Sequence, residues 1–174
     1  IGGGFGGLRV TRELYKKASH IDVVVVDRKA YFEVTYATLR TLTEPGFADG
    51  AGRANYSDFL NAEYLQDAVT ELKQNEAHLE SGGFVEFDFA VIATGSSYPS
   101  LPIAKSEECL TLATRSEEIL RAHEKLAGSS AIRIVGGGAV GAELAGEIKS
   151  KFPNIEVDLF DRGSRILQHL TPKA

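Results

Sequence analysis

Cysteine, methionine and long apolar runs are scarce or missing in this sequence, and each shortage bears on the class of protein. The chain of 174 residues has one cysteine, Cys109, which excludes an intramolecular disulfide, a CxxC redox pair and a cysteine-based zinc site. No run of about 18 uncharged apolar residues occurs, so no transmembrane helix is predicted. A basic excess is also missing. With 19 Lys and Arg against 24 Asp and Glu the net charge is −5, and we expect no nucleic-acid partner.

Methionine is absent altogether, and Ile1 stands directly before a cluster of glycines. Together these observations predict a truncated chain that begins inside a longer protein, so no targeting segment can be read from it. Apolar residues make up 43% and charged residues 25% of the chain, as in ordinary globular domains. The length suits one domain or two.

Two glycine clusters follow the pattern G-x-G-x-x-G, which is typical of dinucleotide-binding turns. The first glycine permits a tight turn, the second lets the backbone approach a pyrophosphate, and the third lets the next helix pack close to the strand. The helix N-terminus then offers free N–H groups to the phosphates. The glycines that fit have the same spacing in the two copies: Gly2, Gly4 and Gly7, then Gly136, Gly138 and Gly141.

Each glycine cluster is followed by a helical pattern, a β-branched run and an aspartate. Asp27 follows Gly7 at the same separation along the chain at which Asp161 follows Gly141. An acidic side chain at the end of this strand accepts hydrogen bonds from a ribose diol. One glycine pattern is weak evidence, but the repeat of the whole unit predicts two bound dinucleotides and electron transfer between them.

The remaining patterns indicate an α/β fold with a small antiparallel sheet. Four segments have helical patterns: 8–17, 56–60, 115–126 (with Ser116 as candidate N-cap) and 142–151. Continuous apolar runs predict buried strands at 21–27, 89–93, 131–135 and 155–160. Short alternating segments predict an antiparallel meander: 68–72, 77–80 and 84–87. The stretch 30–54 is expected to be rich in loops. The predicted fold class is therefore α/β, with dinucleotide-binding Rossmann-like domains, parallel sheets and the meander; the family resemblance below implies that these are FAD/NAD(P)-binding domains.

Three parts are expected along the chain. Residues 1–100 would form the N-terminal part of a first dinucleotide-binding domain whose first strand is cut, which by the family resemblance given next would be the FAD-binding domain. Residues 101–130 would form a linker and a helix. Residues 131–174 would begin a second dinucleotide-binding domain and leave it incomplete, and the same resemblance implies that it binds NAD(P)H.

Several motifs resemble those of the two-dinucleotide-binding flavoproteins of the pyridine nucleotide-disulfide oxidoreductase superfamily, in which FAD binds first and NAD(P)H second. Residues 87–95 match the motif (Y/F)-D-x-x-V-I-A-T-G, which returns the chain past the flavin site and ends at Thr94 and Gly95. The redox cysteine pair of the disulfide reductases is missing. Instead, A-x-L-R at residues 37–40 and G-F-A at residues 46–48 are similar to those of apoptosis-inducing-factor homologues, the ferroptosis-suppressor-type NAD(P)H:quinone oxidoreductases. Type II NADH dehydrogenases share the layout.

The resemblance implies FAD-binding roles for particular residues. The first cluster would wrap the FAD pyrophosphate: Gly2, Gly3, Gly4, Phe5, Gly6 and Gly7. Asp27 would hold the adenosine ribose, and Val69 would offer backbone groups to the adenine unless it is a plain strand valine. Arg40 would contact FAD as a fixed cation, the alternative being a solvated surface arginine.

The second nucleotide turn matches G-G-G-x-x-G-x-E-x-A-x-E-I-K over residues 136–149. In the family it binds NAD(P)H, here through Gly136, Gly138 and Gly141. Glu143 would face the flavin and nicotinamide region, unless it is a surface glutamate. Asp161 favours NADH, because a carboxylate accepts from a 2′-hydroxyl and repels a 2′-phosphate. Arg162 and Arg165 could pair a phosphate, so NADPH stays open.

The activity that the resemblance implies is transfer of hydride from NAD(P)H through FAD to a quinone or another small electron acceptor. No catalytic side chain is assigned, and no histidine spacing predicts a metal site. Two alternatives stay open: a redox-regulated FAD/NAD-binding signalling protein with little turnover, and a ferredoxin or rubredoxin reductase-like enzyme. The expected location is cytoplasmic, with peripheral attachment to membranes or lipid droplets through parts outside this chain.

Overall fold

The computed structural model describes residues 1–18, 20–49 and 52–168, which divide into two compact units. Unit 1 contains Ile1–Val34 and Asp49–Arg115, and unit 2 contains Thr35–Ala48 and the chain from Ser116 onward. Each unit holds one glycine cluster. The assignment of residues 1–100 to FAD binding and of residues 131–174 to NAD(P)H binding stays a prediction.

The helices and strands are short and follow the predicted alternation. In chain order they are α1 (Phe5–Lys17), β1 (Val24–Asp27), β2 (Tyr31–Glu33), α2 (Thr38–Thr43), β3 (Arg53–Asn55), α3 (Tyr56–Phe59), β4 (Glu63–Gln66), β5 (Val69–Lys73), β6 (Glu76–Leu79), β7 (Phe84–Glu86), α4 (Leu112–Ala127), β8 (Ala131–Val135), α5 (Ala139–Lys151) and β9 (Glu156–Phe160).

Unit 1 combines parallel and antiparallel pairings. Strand β1 pairs in parallel with β4, and β2 pairs antiparallel with β3. Strands β5, β6 and β7 form the predicted antiparallel meander, in which Val69 pairs with Leu79. Helix α1 begins after Gly4 and carries Lys16 and Lys17 in its last turn, where cations stabilise the carbonyl end of a helix.

A buried ion pair links two distant parts of unit 1. The Arg115 Nε donates to both carboxylate oxygens of Glu33 at 3.0 and 3.2 Å, and its Nη2 donates to the Ile103 carbonyl at 2.8 Å. The side chains of Arg115 and Glu33 are 0% and 5% exposed. Nothing in the sequence pattern predicted that these two charges would meet.

Three predictions of local structure are wrong: the strand at 89–93, the loop at 30–54 and the start of helix α4. Residues 89–93 form no strand: Ala93 donates to the Ile1 carbonyl at 2.8 Å, but Phe89 is 93% and Ile92 66% exposed. An apolar run shows that a segment is hydrophobic, but burial also requires other parts of the protein to pack over it. The stretch 30–54 is not mainly loop, because β2, α2, most of β3 and two 3-10 helices, Thr35–Ala37 and Pro45–Ala48, lie within it. Such elements are too short for their periodicity to be recognised.

Helix α4 begins before the predicted start, so Ser116 lies inside it and is not its N-cap. The reason is a reciprocal pair of hydrogen bonds at Thr111 and Thr114. The Thr114 N–H donates to Thr111 Oγ1 at 3.2 Å, and the Thr111 N–H donates to Thr114 Oγ1 at 3.3 Å. This is the capping-box arrangement with threonine in place of the usual glutamate.

Unit 2 is a parallel βαβ unit with a small apolar core. Strands β8 and β9 pair in parallel, and α5 packs against them. The core consists of buried Ile134, Ile148 and Ile155, with Phe152 and Leu126 packed against it. Helix α2 also packs on α5. The strand-helix-strand unit predicted for the second glycine cluster is therefore confirmed.

Candidate dinucleotide sites

The two glycine clusters form turns of equivalent geometry, here called the first cradle (residues 2–7) and the second cradle (residues 136–141). The first glycine of each has a left-handed backbone, with φ +96° at Gly2 and +114° at Gly136. Gly2 donates to the Val26 carbonyl and Gly136 to the Phe160 carbonyl, both at 2.7 Å. Side chains are rarely tolerated at such φ values, so the turn requires glycine.

The third glycine of each cradle lies against the first. A Cβ on Gly7 would overlap the carbonyl oxygen of Gly2, and a Cβ on Gly141 would overlap that of Gly136. The overlapped atom is backbone and cannot rotate away. Each following helix can therefore pack closely against the turn only when this position has no side chain.

The second glycine of each cradle faces open space. Apart from the glycine itself and its two chain neighbours, no atom of the described residues lies within 4 Å of a Cβ built on Gly4 or Gly138. Both glycines are helix N-caps with ordinary φ values of −70° and −74°. The open side lies at the N-terminus of a 13-residue helix, where free N–H groups attract anions. Both cradles therefore fit a pyrophosphate.

Asp27, at the end of β1, is tied to the first cradle. Its Oδ2 accepts from the Gly3 N–H at 2.6 Å and its Oδ1 from the Lys29 N–H at 2.8 Å. The carboxylate thus fixes the backbone at Gly3, which lies between the first and second glycines of the pattern. It also lies where the sequence placed the ribose-binding acid.

Asp161, just after β9, makes the matching contacts in the second cradle. Its Oδ2 accepts from the Gly137 N–H and its Oδ1 from the Gly163 N–H, both at 2.7 Å. These hydrogen bonds, with that from Gly163 contributing most, hold the pKa of Asp161 below its usual range. The group is therefore a carboxylate at neutral pH and acts as an acceptor only.

An aromatic side chain that the sequence analysis missed completes the first cradle. The buried Tyr56 hydroxyl donates to the Gly3 carbonyl at 2.8 Å, and burial raises the pKa of this phenol. Its ring also fills the space beside Gly3. Nearby, Phe5 packs edge-on against Phe32, with ring centroids 5.1 Å apart. No motif marks Tyr56, whose partner lies 53 residues away.

Tyr56→Phe is expected to lower the free energy of unfolding by about 1–3 kcal/mol, because the buried Gly3 carbonyl loses its donor while the ring is kept. Urea unfolding measures this directly. Tyr98→Phe removes a hydroxyl from a more exposed ring and is the control, with an expected change below about 0.5 kcal/mol. Equal effects of the two substitutions would contradict the role given to the Tyr56 hydroxyl.

The motif that ends at Thr94 and Gly95 also reaches the first cradle. A Cβ on Gly2 would lie 3.0 Å from the Thr94 nitrogen, and one on Gly6 would lie 3.5 Å from the Ala93 Cβ. The chain therefore passes directly beside the glycine turn at this point. Val69 lies in the first strand of the meander, as predicted, and its role toward the adenine stays a prediction.

Two further predicted site residues, Arg40 and Glu143, lie in unit 2 outside the second cradle and Asp161. The Arg40 guanidinium stacks over the Phe47 ring at 4.6 Å, and its Nε lies 3.6 Å from Glu44 Oε1. Glu143 is exposed on α5. The cofactor contacts proposed for Arg40 and Glu143 stay predictions.

Residues 1–18, 20–49 and 52–168 contain neither a candidate metal site nor a membrane-spanning helix. No group of three or more His, Cys, Asp or Glu side chains there could hold a metal ion. In the same residues, no helix has both the length and the apolar character needed to cross a membrane.

Comparison with known proteins relates the whole chain to one family. The family described as pyridine nucleotide-disulphide oxidoreductase matches residues 1–174. Ferroptosis suppressor protein 1 of Mus musculus is 32% identical over 161 residues, covering 91% of this chain and 42% of that protein. Apoptosis-inducing factor homolog A of Dictyostelium discoideum is 35% identical over 159 residues, covering 88% of this chain and 36% of that protein. The chain therefore spans less than half the length of these relatives.

Among solved structures, the covalent putidaredoxin reductase–putidaredoxin complex superposes with a TM-score of 0.74 at 20% identity, over 98% of this chain and 43% of that chain. At this identity the likeness concerns the fold, and it confirms the predicted α/β, Rossmann-like class. The match to the oxidoreductase family confirms the predicted resemblance and the cofactor classes, FAD and a nicotinamide dinucleotide.

Proposed function

The chain belongs to the pyridine nucleotide-disulphide oxidoreductase family, and we propose that it is the cofactor-binding part of an NAD(P)H:quinone oxidoreductase that favours NADH. The observation that carries the proposal is the pair of cradles with the same open side and the same aspartate contacts. In this proposal residues 1–100 bind FAD, and residues 131–174 begin the NAD(P)H site. The activity is proposed for the whole protein, because this chain spans less than half the length of the relatives it matches.

The chain's own residues account for how both dinucleotides would be held. In the first cradle, Gly4 leaves room for the FAD pyrophosphate, and Asp27 offers a carboxylate to the adenosine ribose. In the second, Gly138 and Asp161 do the same for NAD(P)H. When bound, FAD supplies the two-electron redox chemistry between a nicotinamide dinucleotide and an acceptor.

Two observations support a quinone as the acceptor. The two short motifs that carry the likeness to ferroptosis-suppressor-type oxidoreductases contact each other, through Arg40 of A-x-L-R and Phe47 of G-F-A. With Cys109 as the one cysteine, the chain has no dithiol to pass electrons to a disulfide. A lipid-soluble quinone would be met at a membrane or lipid-droplet surface, so the proposal includes peripheral attachment there of an otherwise cytoplasmic protein.

The test is an acceptor screen on the whole protein purified with FAD. We expect NADH oxidation that depends on a soluble quinone and is faster than with a ferredoxin-type iron–sulfur protein. Faster turnover with the iron–sulfur protein would favour the ferredoxin reductase alternative. Binding of both dinucleotides without turnover would favour the signalling alternative.

The choice between NADH and NADPH depends on Asp161. Asp161→Ser removes the acceptor for the ribose diol and the charge that repels a 2′-phosphate. We expect the Kd for NADH to rise about tenfold, equal to about 1.4 kcal/mol, whereas the Kd for NADPH should not rise and should fall if relief of the charge repulsion dominates. Titration of the whole protein with each nucleotide measures both constants.

The matched control is Asp158→Ser, which removes the same charge from the middle of β9, where Asp158 pairs with Arg133 at 2.9 Å. It should leave the ratio of the two Kd values unchanged. If Asp161→Ser also leaves that ratio unchanged, Asp161 does not determine the nucleotide preference.

A further inference from the structure

The chain beyond Asp161 folds back over the second cradle. This segment, here called the strap (residues 162–168), contacts Gly137, which lies between the first and second glycines of the pattern. The Leu167 N–H donates to the Gly137 carbonyl at 2.7 Å. The Ile166 Cγ2 lies 2.8 Å from where a Cβ on Gly137 would be. The strap therefore lies directly beside the acid that would hold the ribose.

The last side chain of the strap, Gln168, bonds to that acid. Its Nε2 donates to Asp161 Oδ1 at 3.2 Å. The same oxygen accepts from Gly163, and Oδ2 accepts from Gly137. A carboxylate has about four acceptor positions, so three of them are occupied by the protein. A ribose diol donates two hydrogen bonds and needs two of these positions.

The sequence around Gln168 is suited to this contact. A Cβ on residue 163 would overlap the Gln168 amide, so Gly163 provides the space that the amide occupies. The Arg165 Nη2 donates to the Gln168 carbonyl at 3.1 Å and so holds the end of the strap. When the two glycine clusters are aligned, Lys29 and Val34 stand in the first copy where Gly163 and Gln168 stand in the second. In the first copy, Lys29 has a Cβ where Gly163 has none, and Val34 lacks the side-chain amide that Gln168 provides.

The strap also contains a strained residue. Leu167 has a φ of +54°, a left-handed conformation that is strained for a bulky L-residue. That strain is offset by the hydrogen bond to Gly137 only while the strap lies on the cradle. The strap is therefore held by a few contacts that a competing ligand can replace.

From these contacts we infer that Gln168 competes with the adenosine ribose of the dinucleotide for Asp161 and thereby lowers the affinity of the second cradle for NADH. The inference rests on the proposed function, since it assumes that this cradle binds a nicotinamide dinucleotide. NADPH carries a phosphate in place of one of the two hydroxyls. It makes less use of Asp161, and Gln168 should affect it less.

The experiment measures the Kd of the whole, FAD-loaded protein for NADH and for NADPH by calorimetric titration. Gln168→Ala removes the competing donor, and Gly163→Ala displaces it by filling its space. Each variant should bind NADH about fivefold more tightly, as expected for the loss of one competing hydrogen bond. The double variant should gain no more than either single variant. NADPH affinity should change by less than about twofold in both. Gln74→Ala, in the exposed turn between β5 and β6, is the control.

Three outcomes would overturn the inference. Unchanged NADH affinity in both variants would show that Gln168 does not compete. Weaker NADH binding would show that Gln168 is a ligand of the nucleotide. Additive gains would show that the two substitutions act by separate routes. Failure of the proposed function would look different, because wild-type protein would then bind neither NADH nor NADPH.

Discussion

Gly138→Ala is expected to weaken NADH binding at least about tenfold while leaving the stability of the protein unchanged. The φ of −74° at Gly138 is ordinary for alanine, and beyond the adjoining residues the new methyl group would meet no atom of the described residues within 4 Å. Alanine is a poorer N-cap than glycine, but it also restricts the unfolded chain, so these two small effects on stability oppose each other. The methyl group would occupy the side from which the pyrophosphate approaches. Titration with NADH and thermal unfolding measure the two quantities.

Gly141→Ala provides the contrast, because it changes the third glycine of the same turn. Its methyl group would overlap the Gly136 carbonyl, so α5 must shift away from the turn. We expect a loss of about 1–3 kcal/mol in the free energy of unfolding, as for other overpacked sites. The interpretation of the cradle would be contradicted if Gly138→Ala destabilised the protein as much as Gly141→Ala, or if it left NADH binding intact.

Arg115→Met is expected to destabilise the protein by about 3–5 kcal/mol, because it leaves the Glu33 carboxylate buried without its partner. The methionine keeps much of the packing volume and removes the charge. Urea unfolding measures the loss when it is monitored through the unfolding transition of unit 1, which contains both residues. Replacing both Glu33 and Arg115 with methionine should recover most of it, since no charge is then left buried.

An exposed ion pair serves as the control for this prediction. Arg121 and Glu117 form an i,i+4 pair at 3.0 Å on α4, with side chains 76% and 64% exposed. Such pairs contribute about 0–1 kcal/mol, so Arg121→Met should have little effect. A loss below about 1 kcal/mol for Arg115→Met would mean that water or another group compensates Glu33, and the pair would not matter for stability.

The two cradles could be predicted from the sequence because their geometry is local. A tight turn, an open N-cap and a close helix each require glycine at a fixed position, and these requirements leave a readable pattern. Asp27 and Asp161 could be predicted for the same reason, since a helix and a strand of set length bring them back to the turn. What carries the prediction is the repeat of the whole unit.

The contacts between distant segments could not be predicted in this way. Tyr56 reaches Gly3 across 53 residues, and Glu33 meets Arg115 across 82. No periodicity records such a meeting, because it depends on how the chain packs as a whole. Burial of residues 89–93 was wrongly predicted on the same account: hydrophobicity is a property of the segment, but burial belongs to its surroundings.

The carbonyls of Gly3 and Gly137, at equivalent positions of the two cradles, accept hydrogen bonds from different kinds of donor. This difference has a consequence for natural variation. Gly3 relies on a side-chain hydroxyl, which almost any codon change at Tyr56 would eliminate. Gly137 relies on the amide of Leu167, which every residue except proline supplies. Among descendants of one ancestral gene, position 56 should therefore drift little, whereas position 167 should vary among residues that tolerate its left-handed backbone, such as glycine, asparagine and aspartate.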